Sequence, residues 1–219
     1  MRIPLRLFIL FILLFGLINI AFAKLPDSML INVPFISQAP LARWSDARQQ
    51  DGCEEAAVLM AIKWVKGEKM TKKEAETAII KMAQWEEKYY KNFHDTNSND
   101  TAERLIRKYW GYKNYKVYNS ASIESIIKEL SAGRIVIVPT NGRKLKNPNY
   151  KQPGPERHNL LIKGYDYKSK EFITNDPGTR RGDGYRYKEK VLIEAIIDYP
   201  TGNHLPIKEK KKAMITVWK

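Results

Sequence analysis

Apolar and polar residues follow a helical period in the first half of the chain and a strand period in the second half. From Cys53 onward, apolar residues recur on one face of a predicted helix until Gly67 ends the pattern. The apolar positions are Ala56, Ala57, Met60, Ala61, Trp64 and Val65. This helix is therefore predicted to bury one side, with Cys53 in its first turn.

Capping signals predict three more helices. Thr71 and Glu74 form a capping box that opens a helix running to about Tyr90. Asn99 or Asp100 caps the next helix, which ends near Gly111. Ser120 or Ser122 caps the last, which covers 123–132 and is ended by Gly133.

The strand patterns lie mainly after these helices. An edge strand is predicted over 30–37 around Pro34, and five more over 135–138, 158–165, 171–175, 185–188 and 213–218, with helical residues at 189–199. The long loop 141–157 between two strands indicates a functional or mobile segment. The sequence predicts an α+β fold, in which the cysteine helix packs against a mainly antiparallel sheet.

The first residues resemble a targeting segment. Arg2 and Arg6 precede a long apolar run, and the small residues Ala21 and Ala23 suit cleavage before Lys24. The run is shorter than the roughly 20 residues of a spanning helix. We therefore expect a signal peptide at 1–23, one domain at 24–219, and an exported protein that meets the membrane only through this segment.

The chain is strongly basic, with 38 Lys and Arg against 24 Asp and Glu. Removal of the predicted signal peptide would lower its formal charge from +14 to +12, because two arginines leave. Such a charge favours anionic cell-envelope polymers as partners. No basic stretch has the aromatic spacing of a nucleic-acid motif, so no specific nucleic-acid partner is expected.

Cys53 is the only cysteine, so it has no partner for an internal disulfide. It is a packed small side chain, an intermolecular bridge or a nucleophile. Its position at a helix N-terminus favours the nucleophile, because unpaired N–H groups and the helix dipole stabilise a thiolate.

Three histidines are candidate bases for that thiol. His94 lies in a polar stretch between helices and His204 in a turn-rich segment, whereas His158 opens a predicted strand and is the best candidate. Asp176 ends the next strand and could orient His158. A tight turn between the strands would place Asp176 opposite Leu161, on the wrong face, so a bulge or a longer turn is required.

Together these residues resemble a known family. Their order is similar to that in the papain-like cysteine peptidases of family thirty-nine. The resemblance is carried by 33–38, then Gly52 and Cys53, then His158 with 164–166, then 176–178. This group is named for bacteriocin-leader processing and has many exported relatives. The resemblance covers nearly the whole predicted mature chain.

The resemblance implies a papain-like fold and a thiol hydrolase of peptide or protein substrates that needs no cofactor. Cys53 would be the nucleophile, His158 the general base and acid, Asp176 its orienter, and Gln38 the side-chain oxyanion donor. Gln38 is farther from the cysteine than in related peptidases, so Gln50 is an alternative donor.

Glu54 and Glu55 stand where the family pattern generally has small residues. Both suit the first turn of a helix, but they oppose a thiolate. If His158 fails to close on Cys53, the site would only bind. Two alternatives therefore stand beside the peptidase: a catalytically inactive cell-surface binding module on the same fold, and a related acyl transferase such as a transglutaminase or an amidase.

Overall fold

The helix that begins at Cys53 is held between a polar turn and a glycine. A computed structural model describes residues 27–219, and in it this helix, α2, spans Cys53–Lys66 after the short α1, Ala47–Gln50. Gly67 ends α2 with a φ of 67°, a left-handed conformation that glycine adopts without a steric penalty. The predicted helix and its end are confirmed.

The remaining helices surround this one and the sheet. Their bounds are α3 Lys72–Tyr90, α4 Ser98–Asp100 leading into a π-helix at Thr101–Tyr109, α5 Ile123–Ser131, α6 Gly142–Leu145 and α7 Glu189–Ala195. The capping box of α3 is present, and Ser122 caps α5. Asn97, rather than Asn99 or Asp100, caps α4 because its side chain accepts the Asp100 N–H.

Among residues 27–219, seven antiparallel strands form one sheet. They are β1 Ser28–Leu30, β2 Tyr115–Tyr118, β3 Ile135–Thr140, β4 His158–Asp166, β5 Glu171–Asn175, β6 Tyr185–Lys188 and β7 Met214–Val217. The order is β2-β7-β3-β4-β5-β6, and β1 pairs with the end of β4 beyond β3. The predicted mainly antiparallel sheet is confirmed.

Both faces of the sheet are covered. On one face, Ile135, Ile137 and Leu161 pack with the residues of α2 and α3. On the other face, Val136 and Leu160 pack with residues of α5 and α7. Because side chains alternate along a strand, this two-sided burial explains the continuous apolar run in β3.

The pairing of β4 with β5 contains a bulge. Asp166 pairs with Glu171 and Gly164 with Ile173, but Ile162 pairs with Thr174, so Lys163 is an extra residue in β4. Continuing this register by one step sets Asp176 opposite Leu160, two residues from His158 and on the same face. The bulge therefore supplies the shift that a tight turn alone could not.

Residues 31–37 do not form the predicted edge strand. Pro34 has no N–H to donate, and the Asn175 side chain donates to the carbonyls of Val33 and Pro34. The segment instead crosses the end of β5 and is fixed there. The only strand in this region, β1, lies just before it.

The sequence patterns missed β2, α1 and α6, and α6 lies inside the predicted loop 141–157. The predicted signal peptide, 1–23, lies outside the described residues and stays a prediction. Within residues 27–219, none of the helices is long and apolar enough to cross a membrane.

Gly164 tests the bulge. A Cβ at this position would lie 2.4 Å from the Met29 carbonyl oxygen, so Gly164→Ala must displace β1 or the bulge. We expect a loss of about 1–3 kcal/mol in the free energy of unfolding, measured in urea, and faster amide exchange in β1. Gly133→Ala is the control for β1: its φ of 73° strains an alanine locally, but nothing lies within 4 Å of the added Cβ, so exchange in β1 should not change selectively. Unchanged stability and exchange in Gly164→Ala would contradict this account of the bulge.

Candidate active site

Cys53 occupies the first position of α2, as the sequence predicts. Gly52 precedes it, and a Cβ there would lie 2.6 Å from the Arg48 carbonyl oxygen, so the approach of the chain to the helix requires glycine. Within the described part of the chain, the Cys53 N–H has no hydrogen-bond partner. Such N–H groups at a helix start are free to bind a developing negative charge.

His158 and Asp176 form a buried pair. Nε2 of His158 lies 2.8 Å from Oδ1 of Asp176, and both side chains are almost wholly excluded from solvent. If Nε2 carries the proton and donates it to the carboxylate, Nδ1 is the nitrogen that can accept another proton.

The Asp176 carboxylate accepts four more hydrogen bonds. Gly178 N–H donates to Oδ1 at 3.0 Å, and the hydroxyls of Tyr150 and Tyr187 both donate to Oδ2 at 2.5 Å. The Asn147 amide adds a longer bond of 3.3 Å. Burial acts to raise the pKa of Asp176, but the charge of His158 and these donors outweigh it, so the pKa lies below its ordinary value. Asp176 is therefore held ionised beside the imidazole.

Cys53 and His158 line the same cavity, which has a volume of about 1570 Å³. The backbone of Asn159, the residue after His158, acts to lower the pKa of Cys53, and β4 packs against α2. The start of β4 is thus in contact with the start of α2. A thiol and an imidazole are brought to one cavity, as the sequence interpretation requires.

The thiol of Cys53 donates to the residue that follows it. Sγ lies 2.9 Å from Oε2 of Glu54. Burial raises the pKa of Cys53 well above its ordinary value, and the charge and hydrogen bond of Glu54 raise it further, while the Asn159 N–H acts in the opposite direction. The resting sulfur is therefore a neutral thiol at neutral pH.

Glu54 is itself buried and hydrogen-bonded. Its Oε1 accepts from the Tyr199 hydroxyl at 2.6 Å and from the Thr96 N–H at 3.4 Å. Tyr199 in turn accepts from the Asn159 side chain at 2.7 Å. Burial raises the pKa of Glu54, and the bonds with Cys53 and Tyr199 act against that rise.

Glu55 points away from this sulfur network. Burial, followed by the charges of Glu86 and Glu54, raises the pKa of Glu55 well above its ordinary value. One of its carboxyl oxygens has no hydrogen-bond partner within the described residues. The protonated form of Glu55 is therefore favoured relative to an exposed glutamate.

The two candidate oxyanion donors differ in their surroundings. Gln38 is buried, and its Nε2 donates to the carbonyls of Gln49 at 3.0 Å and Gln50 at 2.8 Å. Gln50 is exposed. Both line the cavity with Cys53. The assignment of the oxyanion donor stays a prediction.

The other two histidines lie near the same region. His204 lines the cavity, and its Nδ1 lies 3.0 Å from Asp95, which also faces Arg157 at 3.3 Å. His94 contacts the Asn92 side chain. Neither lies on a strand that packs against α2, whereas His158 begins β4, so His158 remains the best candidate base.

A protein-family model described as the Peptidase_C39 like family matches residues 30–199. The chain belongs to this family. The fold is similar to that in a crystal structure of a putative C39-like peptidase from Bacillus anthracis, with a TM-score of 0.57 and 17% sequence identity. The match covers 89% of this chain and 99% of that chain. No curated protein has a significant match to the sequence.

Membership in the C39-like peptidase family confirms the expected resemblance, and the structural match confirms the papain-like α+β fold. Both comparisons stop short of assigning catalytic residues in this chain. The family indicates a cysteine peptidase.

Sequence reasoning missed the side chains that hold the acid–base pair in place. Tyr150 and Asn147 come from the segment 141–157, whose length alone indicated a function. Tyr187 lies in β6, and Tyr199 follows α7. No spacing signal links these residues to Asp176 or Glu54. Between residues 27 and 219, no group of three or more His, Cys, Asp or Glu side chains is arranged to hold a metal ion.

Tyr150→Phe and Tyr187→Phe test the environment of Asp176. Each variant removes one donor to a buried carboxylate, so we expect each to lose about 1.5–3 kcal/mol in the free energy of unfolding at neutral pH. Because the native pKa of Asp176 is lowered, its stabilisation is present above the unfolded pKa of about 3.9 and is lost as the pH falls through the native pKa. The losses should therefore shrink in acid.

Urea unfolding at neutral and acidic pH measures this effect. Tyr185→Phe is the matched control, because Tyr185 lies on the same strand and its hydroxyl has no hydrogen-bond partner within the described residues. Equal losses in all three variants, or losses that do not depend on pH, would show that Asp176 does not receive these bonds.

Proposed function

We propose that the protein is an exported cysteine peptidase that hydrolyses peptide or isopeptide bonds through Cys53, His158 and Asp176. The observation that carries the proposal is the 2.8 Å contact between His158 and a buried, ionised Asp176 at the cavity that Cys53 also lines. Membership in the C39-like peptidase family supports the reaction class.

The first chemical step is acylation of the sulfur. The Cys53 thiol gives its proton to Nδ1 of His158, and the sulfur forms a bond to the carbonyl carbon of the substrate. The imidazolium that results is stabilised by Asp176 across the Nε2 contact. His158 then gives the proton to the leaving amine as the carbon–nitrogen bond breaks, which leaves a thioester on Cys53.

The second step releases the acid product. His158 takes a proton from a water molecule, and the oxygen of that water attacks the thioester carbon. The carbon–sulfur bond breaks, and the sulfur recovers its proton from His158. Each cycle therefore consumes one water and returns the thiol, without an oxidant or a cofactor.

The oxyanion of both steps needs preorganised donors. The N–H of Cys53 is free and lies at the helix start, so it supplies one donor. Gln38 would supply the second by moving one amide hydrogen from the carbonyl of Gln49 or Gln50 to the oxyanion. Its buried position at the cavity supports this choice over the exposed Gln50.

Three substitutions test the triad. Cys53→Ala should abolish cleavage of a proteome-derived peptide library, and His158→Ala and Asp176→Asn should lower kcat/KM by roughly 10²- to 10⁴-fold. New termini in the library, counted by mass spectrometry, provide the measurement. His204→Ala is the matched control, because this second imidazole lines the cavity but should not transfer the proton.

Cleavage that survives in Cys53→Ala would contradict the nucleophile assignment. A loss in His204→Ala equal to that in His158→Ala would contradict the choice of base. Transfer of the acyl group to an added amine in preference to water would instead indicate an acyl transferase.

A catalytically inactive binding module is the second candidate function. The Cys53 thiol donates to Glu54, and three cationic side chains at the cavity, Lys151, Arg180 and Arg181, have no carboxylate within 4 Å in the described part of the chain. Such cations suit an anionic cell-envelope polymer. Binding to such a polymer that is unchanged in Cys53→Ala, with no cleavage by the wild type, would favour this candidate.

Gln38→Ala and Gln50→Ala decide between the two oxyanion donors. Loss of one donor typically lowers kcat by about 10²- to 10³-fold, and we expect this loss in Gln38→Ala only. Steady-state kinetics on a peptide taken from the library provide the test, with thermal unfolding to confirm that each variant is folded. The opposite order of the two losses would assign the role to Gln50.

A further inference from the structure

The proposed reaction and the structure give the hydrogen of the Cys53 thiol two different acceptors. One is Nδ1 of His158, which the proposed peptidase reaction requires. The other is Oε2 of Glu54, which lies 2.9 Å from Sγ and receives the hydrogen in this structure. A thiol has one hydrogen, so the two acceptors exclude each other at any moment.

Hydrogen bonds to Glu54 favour its ionised form as the acceptor, whereas burial and the charge of Asp95 raise its pKa. Tyr199 and the Thr96 N–H both donate to Oε1, which leaves Oε2 for the thiol. The carboxylate is buried with the sulfur, so water does not screen the two groups from each other. Other ionisable groups that act on this network are Asp95, Glu55 and Glu86, all of them acids.

We propose that Glu54 holds Cys53 as a thiol in the resting protein, and that the proton passes to His158 only when a substrate occupies the cavity. The site then starts from a neutral thiol instead of a standing thiolate. This inference rests on the proposed base role of His158, and it assigns Glu54 a direct contact with the reacting sulfur.

The atoms of the step balance without another reagent. At rest, the S–H bond is intact and points to the Glu54 carboxylate. When a substrate enters, the S–H turns from Oε2 to Nδ1, the imidazole takes the proton, and the sulfur electron pair forms the bond to the carbonyl carbon. Glu54 keeps its charge throughout and receives the S–H again after the acid product leaves.

A consequence is slow reaction of the resting sulfur with small electrophiles and oxidants. The thiolate is the reactive form in alkylation and in oxidation to sulfenic acid. A contact that keeps the proton on sulfur lowers the thiolate fraction. The sulfur would thus be protected between turnovers, although it is the only thiol in the chain.

Alkylation by iodoacetamide in the absence of substrate tests the inference directly. Because Cys53 is the only cysteine, mass spectrometry of the intact protein reports the reaction of this one sulfur. We expect Glu54→Gln to react at least tenfold faster than wild type at neutral pH, and the pH midpoint of alkylation to fall by at least one unit, since one unit corresponds to a tenfold change in thiolate at a given pH.

Glu55→Gln is the matched control. It makes the same substitution one position later in the same buried helical turn, but Glu55 makes no hydrogen bond to the sulfur and its pKa is raised by burial. We expect its alkylation rate to stay within about twofold of wild type, because the substitution should shift the pKa of Cys53 by much less than the full unit that a tenfold change in thiolate requires. Adding His158→Ala to Glu54→Gln should remove most of the acceleration, because the released proton then has no acceptor.

A Glu54→Gln protein that reacts no faster than wild type, or no faster than Glu55→Gln, overturns the inference. If Glu54→Gln fails to fold by circular dichroism, Glu54→Asp decides in its place, because it keeps the charge and withdraws the carboxylate from Sγ. It should react faster than wild type, and an unchanged rate overturns the inference. Alkylation needs no peptide cleavage, so failure of the proposed peptidase activity would be seen separately.

Discussion

One extra residue in β4 determines which side chains meet at the cavity. If Lys163 were paired regularly instead of bulged, the pairing from Asp166 to Gly164 would continue to set Asp176 opposite Leu161, and its carboxylate would lie on the face away from His158. The extra residue is stable because the Ile31 N–H donates to its carbonyl at 2.7 Å and its ammonium contacts Asp183. Gly164 then lets the β1 backbone approach closely. The acid–base pair is thus a consequence of local strand geometry.

The chemistry of the site depends on the hydrogen-bond donors around Asp176 and on the acidic neighbour of Cys53. Asp176 is buried with five donors and stays ionised, which suits a group that stabilises an imidazolium. Cys53 is buried with an acidic neighbour and keeps its proton. The raised pKa of Cys53 keeps the sulfur in its thiol form at rest. A substrate that excludes water and supplies an electrophilic carbon would favour transfer of the thiol proton to His158.

Much of this arrangement follows from local sequence signals. The α2 helix, the capping box of α3, and the β5 and β6 strands follow from periods and caps that act within a few residues. The candidate residues Cys53, His158 and Asp176 follow from their places at the ends of such elements. The need for a bulge is also visible in the sequence, because a tight turn would set Asp176 opposite Leu161, an odd number of residues from His158 along the strand.

Other features depend on partners that are distant in the chain. The bulge lies where β1 pairs with β4. The donors to Asp176 include Asn147, which follows α6, and Tyr187 in β6, so no short window of sequence contains them together. The segment 31–37 has a strand pattern but gives its carbonyls to Asn175, about 140 residues away. Glu54 resembled a helix-start residue, and only the fold shows its contact with the thiol.

The central claim is that Cys53 and His158 act together on a carbonyl group in this cavity. A crystal structure with a bound peptide aldehyde, its sequence taken from a cleaved site, measures this most directly. The account predicts a covalent bond from Sγ to the aldehyde carbon, with Nδ1 of His158 within hydrogen-bond distance of the reacting atoms and the Cys53 N–H on the oxygen. An aldehyde that leaves the sulfur bonded to Glu54, or an imidazole turned away from it, would contradict the claim.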